Sequence, residues 1–207
     1  MCAAPITVTI DSHFHANINH LPAAQRRAKA KRFAPAVAHL DILCSTEHAY
    51  RNPLEAYDFL CEAAAASGSK TKIVAGVENI SSEGVEVIFL AKDRASLIKL
   101  IAAFPPFDWS IHNSDQAAEH ECITILPHAF SPSTTGIVNN IGIEKALPLL
   151  SAYDFIEANN GGFYGLDPKR LPAKGLRDNI VNTANFPKSL LDDGVKYSVG
   201  SDAHNMR

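Results

Sequence analysis

Apolar residues recur along the chain in short β-rich runs separated by stretches of helical spacing, an order that predicts alternating strands and helices in an α/β domain. The strand signal falls on Ile6 to Ile10, Ile42 to Ser45, Lys72 to Val77, Val85 to Leu90, Ile123 to Leu126, Phe155 to Ala158 and Tyr197 to Val199. Helical spacing predicts helices over Ala23 to Leu40 with a break at Pro35, and over Pro53 to Ala66, Arg94 to Ala103, Ile143 to Ser151 and Ser189 to Asp193. One pair departs from the alternation. Ser81-Ser82-Glu83-Gly84 is too short for a crossover helix, so the third and fourth runs are expected to form a hairpin. Gly161 to Pro187, rich in glycine, proline and asparagine, predicts a long irregular loop of the kind often found beside a site. An open doubly wound sheet normally carries a Gly-rich phosphate loop after its first strand, and none follows Ile10, which favours a barrel.

Composition narrows the setting. A length of 207 residues suits a single domain with one core, and 46% hydrophobic with 20% charged residues excludes disordered and fibrous classes. No run approaches the ~20 apolar residues of a membrane span. Met1 to Pro5 has no positive cluster before an apolar stretch, so a cytoplasmic protein is expected. Cys2, Cys44, Cys61 and Cys122 are scattered, which argues against a zinc finger or a disulfide framework and for a reducing compartment. A formal net charge of -3 gives no global attraction to nucleic acid. The basic stretch Arg26, Arg27, Lys29, Lys31, Arg32 spreads around a helix and reads as a solvated face.

The candidate chemistry lies where the runs end. The first leads into Asp11-Ser12-His13-Phe14-His15 and on to His20, the second into Thr46-Glu47-His48, and the third into Gly76-Val77-Glu78. Later runs lead into Pro127-His128, Glu157-Ala158-Asn159-Asn160 and Gly200-Ser201-Asp202-Ala203-His204. In a barrel of parallel strands those ends converge on one face. Imidazole with carboxylate and without thiolate suits zinc, iron or manganese. The i, i+2 spacing of His13 with His15, and of Asp202 with His204, keeps both side chains on one side of an extended strand. The donors outnumber what one tetrahedral ion accepts, which points to two or three divalent ions, some sharing a carboxylate. His39, on the apolar Val37-Ala38-His39-Leu40 face, reads as structural.

Taken in order over nearly the whole chain, these motifs resemble the PHP superfamily, the polymerase and histidinol phosphatase domain. The opening is similar to the family's Asp-x-His-x-His, Thr46-Glu47-His48 to its Thr-Asp-His, Gly76-Val77-Glu78 to its Gly-x-Glu, and Gly200 to His204 to its closing signature. The resemblance implies a distorted (β/α)7 barrel in a single domain over 1–207. It implies one ion on His13, His15, Glu78 and Asp202, and a second on His20, His48 and His204. A third would take Glu78 as bridge with His128 and one more histidine. The fourth strand offers Ile88 where relatives place that ligand, with Glu86 the nearest ligand type, so His112, or less favourably His120, is expected to supply it. If neither does, the site holds two ions. Glu47 replaces the usual Asp and lengthens a carboxylate expected to orient an imidazole. Where relatives continue into a further helix, the sequence stops three residues after His204, so a partner or a further segment is expected to cover the apolar surface there.

The activity implied is hydrolysis of a phosphate ester by metal-activated water, the substrate being a small phosphorylated metabolite, a nucleotide or an oligonucleotide end. Glu78, Asp202 and His204 are the expected catalytic residues, and Arg51, Asn160, Lys169 and Arg170 the expected substrate contacts. Two other readings stand beside it. A metal amidohydrolase cutting C–N bonds would want a metal-bridging lysine at a middle strand end, and no strand end shows one. A degenerate domain could keep the barrel as a binding or regulatory module.

Overall fold

Seven strands form one sheet in chain order: β1 (Ile10–Phe14), β2 (Ile42–Ser45), β3 (Lys72–Ile80), β4 (Glu86–Ala91), β5 (Ile123–Leu126), β6 (Phe155–Asn160) and β7 (Tyr197–Gly200). The computed structural model describes residues 7–130, 135–160 and 194–203. Neighbouring strands run parallel except around β4, which is antiparallel to both β3 and β5. The two ends of the sheet meet. Phe14 bridges Ala203, the His15 amide donates to the Ala203 carbonyl at 3.2 Å, and the Asp202 amide donates to the His13 carbonyl at 2.8 Å. The result is a mixed α/β fold around a nearly closed, seven-stranded barrel. Around it lie α1 (Ala23–Val37), α2 (Pro53–Ser67), α3 (Arg94–Ala103), α4 (Ser114–Ala118), α5 (Ile137–Ile141) and α6 (Ile143–Leu150). Among the described residues no helix is long and apolar enough to cross a membrane.

Local signals set the best-defined boundaries. Asn52 caps α2 by accepting from the Glu55 amide, Pro53 opens its first turn, and Gly68 closes it at φ 67°. Asp93 caps α3 through the Ser96 amide. Three boundaries differ most from the sequence expectation. β1 begins where the first apolar run ends, because burial falls on Ser12 to Ala16 while Val8 and Ile10 stay exposed, so the His13 motif lies inside the strand. β3 runs on to Ile80, carried by its antiparallel pairing with β4. α1 continues through Pro35 and ends two residues later at Val37, so the backbone donor that proline lacks costs the helix its bond to the Lys31 carbonyl only one step before the end. The short α4 and α5 were too brief to show a helical period. Gly161 to Pro187 and Ser189 to Asp193 lie outside the described residues.

Strand periodicity then sorts side chains between two environments. Outward residues such as Leu43 pack beneath α1 and α2 with Phe14, Phe33 and Leu60, and outward Val87 and Phe89 pack beneath α3 with Leu97, Leu100, Phe104 and Trp109. Inward residues Cys44, Ile88, Leu90 and Ile125 fill one end of the barrel. Continuing the same alternation, Glu78 on β3, Glu86 on β4 and Glu157 on β6 point inward at the other end, where each is buried. An apolar plug therefore forms the floor of a polar chamber.

The plug and the α3 layer should dominate stability. Phe89 is buried, stacks on Phe104 at 4.8 Å and meets the edge of Trp109 at 5.5 Å. Phe89→Ala is expected to destabilise the fold by about 3–5 kcal/mol, measured by urea unfolding followed through the fluorescence of Trp109, the chain's single tryptophan. A loss under ~1 kcal/mol would mean that this layer is not the core.

Candidate metal centre

Four imidazoles converge on the Glu78 carboxylate. Glu78 Oε1 lies 3.1 Å from His13 Nε2 and 3.3 Å from His128 Nε2, while Oε2 lies 3.3 Å from His15 Nε2 and 2.8 Å from His48 Nδ1. Each carboxylate oxygen thus faces two ring nitrogens, and the carboxylate divides the chamber into two donor groups. On one side, His13 Nε2 and His15 Nε2 are 3.0 Å apart, with Asp202 Oδ1 at 3.6 and 3.4 Å from them. On the other side Glu86 spans the remaining pair, Oε1 at 3.6 Å from His48 Nδ1 and Oε2 at 3.4 Å from His128 Nε2.

A further set of contacts holds these rings in place. Glu157 Oε1 takes the Nδ1 side of His13 at 3.1 Å, and its Oε2 accepts from the His128 amide at 2.8 Å. A carboxylate can only accept, so His13 donates from Nδ1 to Glu157, and its Nε2 side is turned toward Glu78 and His15. Glu47 lies on the Nδ1 side of His15, with Oε1 at 3.5 Å, and is itself held by the Asn17 amide at 2.6 Å. Tyr50 stacks on the His48 ring at 4.8 Å and 14°. Asp11 ties the closing strands together, accepting from the His13 and Ser201 amides at 3.1 and 2.8 Å. Gly200 must lack a side chain, since a Cβ there would collide with Glu157 Oε1 and His13 Cβ. His128 and Asp202 leave their strands at φ 33° and 47°, left-handed conformations that cost other residues of order 1 kcal/mol and here turn two donors into the chamber.

Burial and charge oppose each other throughout. Burial disfavours protonated His13, but the Glu78 and Glu157 carboxylates more than offset this and hold its pKa well above the ordinary value. For His128 the same opposition, with Glu78 and Glu86 prevailing, raises the pKa to about 10. His15 is raised too, against burial, by Asp202, Glu47 and Glu78. Glu78 shows the converse: burial would raise its pKa, yet His13, His128 and His48 hold it well below the usual carboxylate range. Glu47 is brought down to about 2, burial being outweighed by His15 and the Asn17 and His48 amides. The carboxylates demand positive charge in the chamber, which either protons on the imidazoles or bound cations can supply.

The donor set fits divalent cations. Imidazole nitrogens and carboxylate oxygens separated by 3.0 to 3.6 Å have the spacing of ligands that share one ion at about 2.0–2.2 Å. His13, His15, Glu78, Asp202, His48 and His128, all expected from sequence, are brought together. Two expected ligands are not. His20 is exposed and lines a neighbouring cleft, and His112 is exposed on the connection before α4; among the described residues neither contacts the cluster. Glu86, the nearest ligand type on the fourth strand, lies beside His48 and His128. Because β4 runs antiparallel, its N-terminal end, not its C-terminal end, reaches the chamber, and a search of strand C-termini passes over Glu86. Glu157, expected among the strand-end donors, instead contacts the Nδ1 side of His13, and Tyr50 was not expected from sequence; the ligand position on the fourth strand pointed to Glu86, and the hairpin of β3 and β4 explains its direction. Arg51 sits at the rim, donating to Asn17 Oδ1 at 3.3 Å and to Glu47 Oε1 at 3.4 Å. Asn160 ends β6, and His204, Lys169 and Arg170 lie outside the described residues.

Two outcomes test this electrostatic reading. Metal uptake by the stripped protein at neutral pH should release protons, detectable in weak buffer with an indicator dye, because the imidazoles carry them beforehand; uptake with no release would refute it. For the stripped protein the sign is set by the raised histidines. His128 contributes stability that is full below its ordinary 6.5 and lost as pH rises through about 10, so melting temperature should fall across that window while metal affinity climbs.

No protein-family profile matches the chain, and no curated protein is similar to it in sequence. Solved structures are similar in fold. PsfC from Pseudomonas syringae superposes with a TM-score of 0.59 at 19% identity, over 95% of this chain and 76% of that one. A two-domain protein from Bacteroides vulgatus, containing a predicted PHP-like metal-dependent phosphoesterase, gives 0.55 at 15% identity, over 95% and 52% of the two chains. The lesion-specific endonuclease PfuEndoQ from Pyrococcus furiosus gives 0.58 at 13% identity, over 95% and 48%. This chain therefore spans about half the length of the latter two. At these identities the likeness is one of architecture, and the architecture of this chain is the PHP-like barrel.

Proposed function

We propose that this chain is a metal-dependent phosphoesterase that hydrolyses a phosphate ester with metal-activated water. The observation that carries the reading is Glu78, buried at the centre with each oxygen facing two imidazoles, an arrangement suited to a carboxylate shared between two ions. In this reading His13, His15, Glu78 and Asp202 hold one divalent ion, and His48, Glu78, Glu86 and His128 hold another. His204, two residues beyond Asp202, is assigned from the sequence motif alone and would complete a third. Zinc, manganese and iron all suit these ligands. The fold neighbours described as a phosphoesterase and an endonuclease support ester hydrolysis at phosphorus, and the endonuclease keeps a nucleic acid end among the substrates beside small phosphorylated metabolites and nucleotides.

When bound, the ions neutralise phosphate oxygens and bring the pKa of water toward neutrality. The residues of the chain do the rest. Glu157 fixes the proton of His13 on Nδ1, and Glu47 orients His15, so both rings present Nε2 to the chamber. The inward floor of Cys44, Ile88 and Ile125 excludes water from below. Substrate enters from the side of Asp202, His48 and Glu86, whose side chains are 17%, 10% and 10% exposed while His13 and His15 are 0%. Tyr50 and Arg51 stand on that rim, Arg51 as a phosphate contact. Asn160, Lys169 and Arg170 are assigned to the substrate from the sequence alone.

Release of inorganic phosphate from 4-nitrophenyl phosphate with added manganese tests the reading. Turnover should fall by at least about 10³ in His13→Ala and by about 10–100-fold in Glu157→Gln, which keeps the shape but loses the charge that orients His13. Stoichiometric metal without turnover on any phosphate ester would instead make the domain a binding module.

A further inference from the structure

The basic stretch on α1 does not behave as a uniformly solvated face. Arg26 is paired with Glu55, whereas half-buried Lys29 and exposed Arg32 line a cleft of about 290 Å³ that also presents Asn17, His20, Leu21 and Gln25. Residues 25, 28, 29 and 32 share one helix face, so two cations three positions apart sit side by side despite their repulsion. Among the described residues neither has a carboxylate within ion-pair distance. Lys29 is half-buried and spends one donor on the Asn17 carbonyl at 3.3 Å, which leaves two. Burial lowers its pKa, and the Glu47 carboxylate offsets this only in part.

The cleft and the metal chamber share a wall. Asn17, at φ 47°, donates its amide to Glu47 on the chamber side, gives its carbonyl to Lys29 on the cleft side and its Oδ1 to Arg51 at the rim. A run of cationic donors, Arg51, Lys29 and Arg32, thus leads away from the centre, and lysine and arginine side chains can only donate. Such a group matches the acceptor-rich oxygens of a phosphate.

Resting on the phosphoesterase reading above, we propose that the cleft lined by Lys29 and Arg32 holds a second phosphate of the substrate, so that the chain acts on esters bearing two phosphate groups. The same chemistry would accept free phosphate, and the test separates the two sources. Calorimetric titration of the zinc-loaded full chain with inorganic phosphate should show two sites, one of them weakened at least about tenfold in Lys29→Gln/Arg32→Gln. Arg27→Gln/Lys31→Gln removes the same charge elsewhere on α1 and should leave both sites. In the second arm, kcat/KM is measured for alkanediol bisphosphates of two to six carbons against the matching monophosphates. The bisphosphate preference should be about tenfold or more at the best length and should collapse in Lys29→Gln/Arg32→Gln but not in the control pair. Unchanged phosphate stoichiometry and affinity in Lys29→Gln/Arg32→Gln overturn the cleft as an anion site. Loss of that site with an unchanged bisphosphate preference overturns its assignment to substrate. If neither the monophosphates nor the bisphosphates are hydrolysed, the phosphoesterase reading fails, and the titration still decides the cleft.

Discussion

Everything at the polar end of the barrel depends on placing the Glu78 carboxylate in a chamber from which water is largely excluded. An ion there is costly unless its field is answered at close range, and breaking a buried pair from one side typically costs about 3–5 kcal/mol. Four imidazoles at 2.8 to 3.3 Å supply that answer. Glu86, Glu157, Glu47 and Asp202 then add more negative charge than the imidazoles alone balance comfortably, which is why the histidine pKa values rise against their burial. The chamber calls for positive charge, which protons on the imidazoles or bound cations can supply.

The mixed strand direction contributes to that excess. A barrel of seven parallel strands would bring only strand C-termini to the chamber. Reversing β4 brings in the residue at its start, and Glu86 closes the gap between His48 and His128. Thr135 reinforces the corner from outside, its hydroxyl donating to Glu86 Oε2 while its carbonyl accepts from the Glu86 amide. The orienting carboxylates follow one design. Glu157 and Glu47 each take the Nδ1 side of one histidine of the first motif, so the two rings are fixed by groups more than thirty residues away in sequence.

Much of this was legible along the chain. The apolar runs located six of the seven strands closely, and capping residues such as Asn52 and Asp93 marked helix starts. The two-residue spacing of His13 and His15 announced a shared face. Where the reading strayed, a longer-range interaction was responsible. β1 starts later than its apolar run because its burial is set by closure against β7. His20 and His112 have the right chemistry, but His20 lies on the far side of the Asn17 turn and His112 stays exposed on the connection before α4. Glu86 was recognised as a ligand type, yet its direction into the chamber depends on the register of β4 against β3.

The sequence by itself determined which residue types stand at the strand ends, and that an imidazole and carboxylate centre was the chemistry they could serve, because periodicity and ligand preference are local properties. Only the tertiary structure decided which oxygen faces which ring, that Glu86 and not His112 completes the cluster, and that Lys29 and Arg32 share a cleft beside it. Those outcomes depend on strand direction, register and barrel closure, which join residues whose separation along the chain carries no trace of their distance in space.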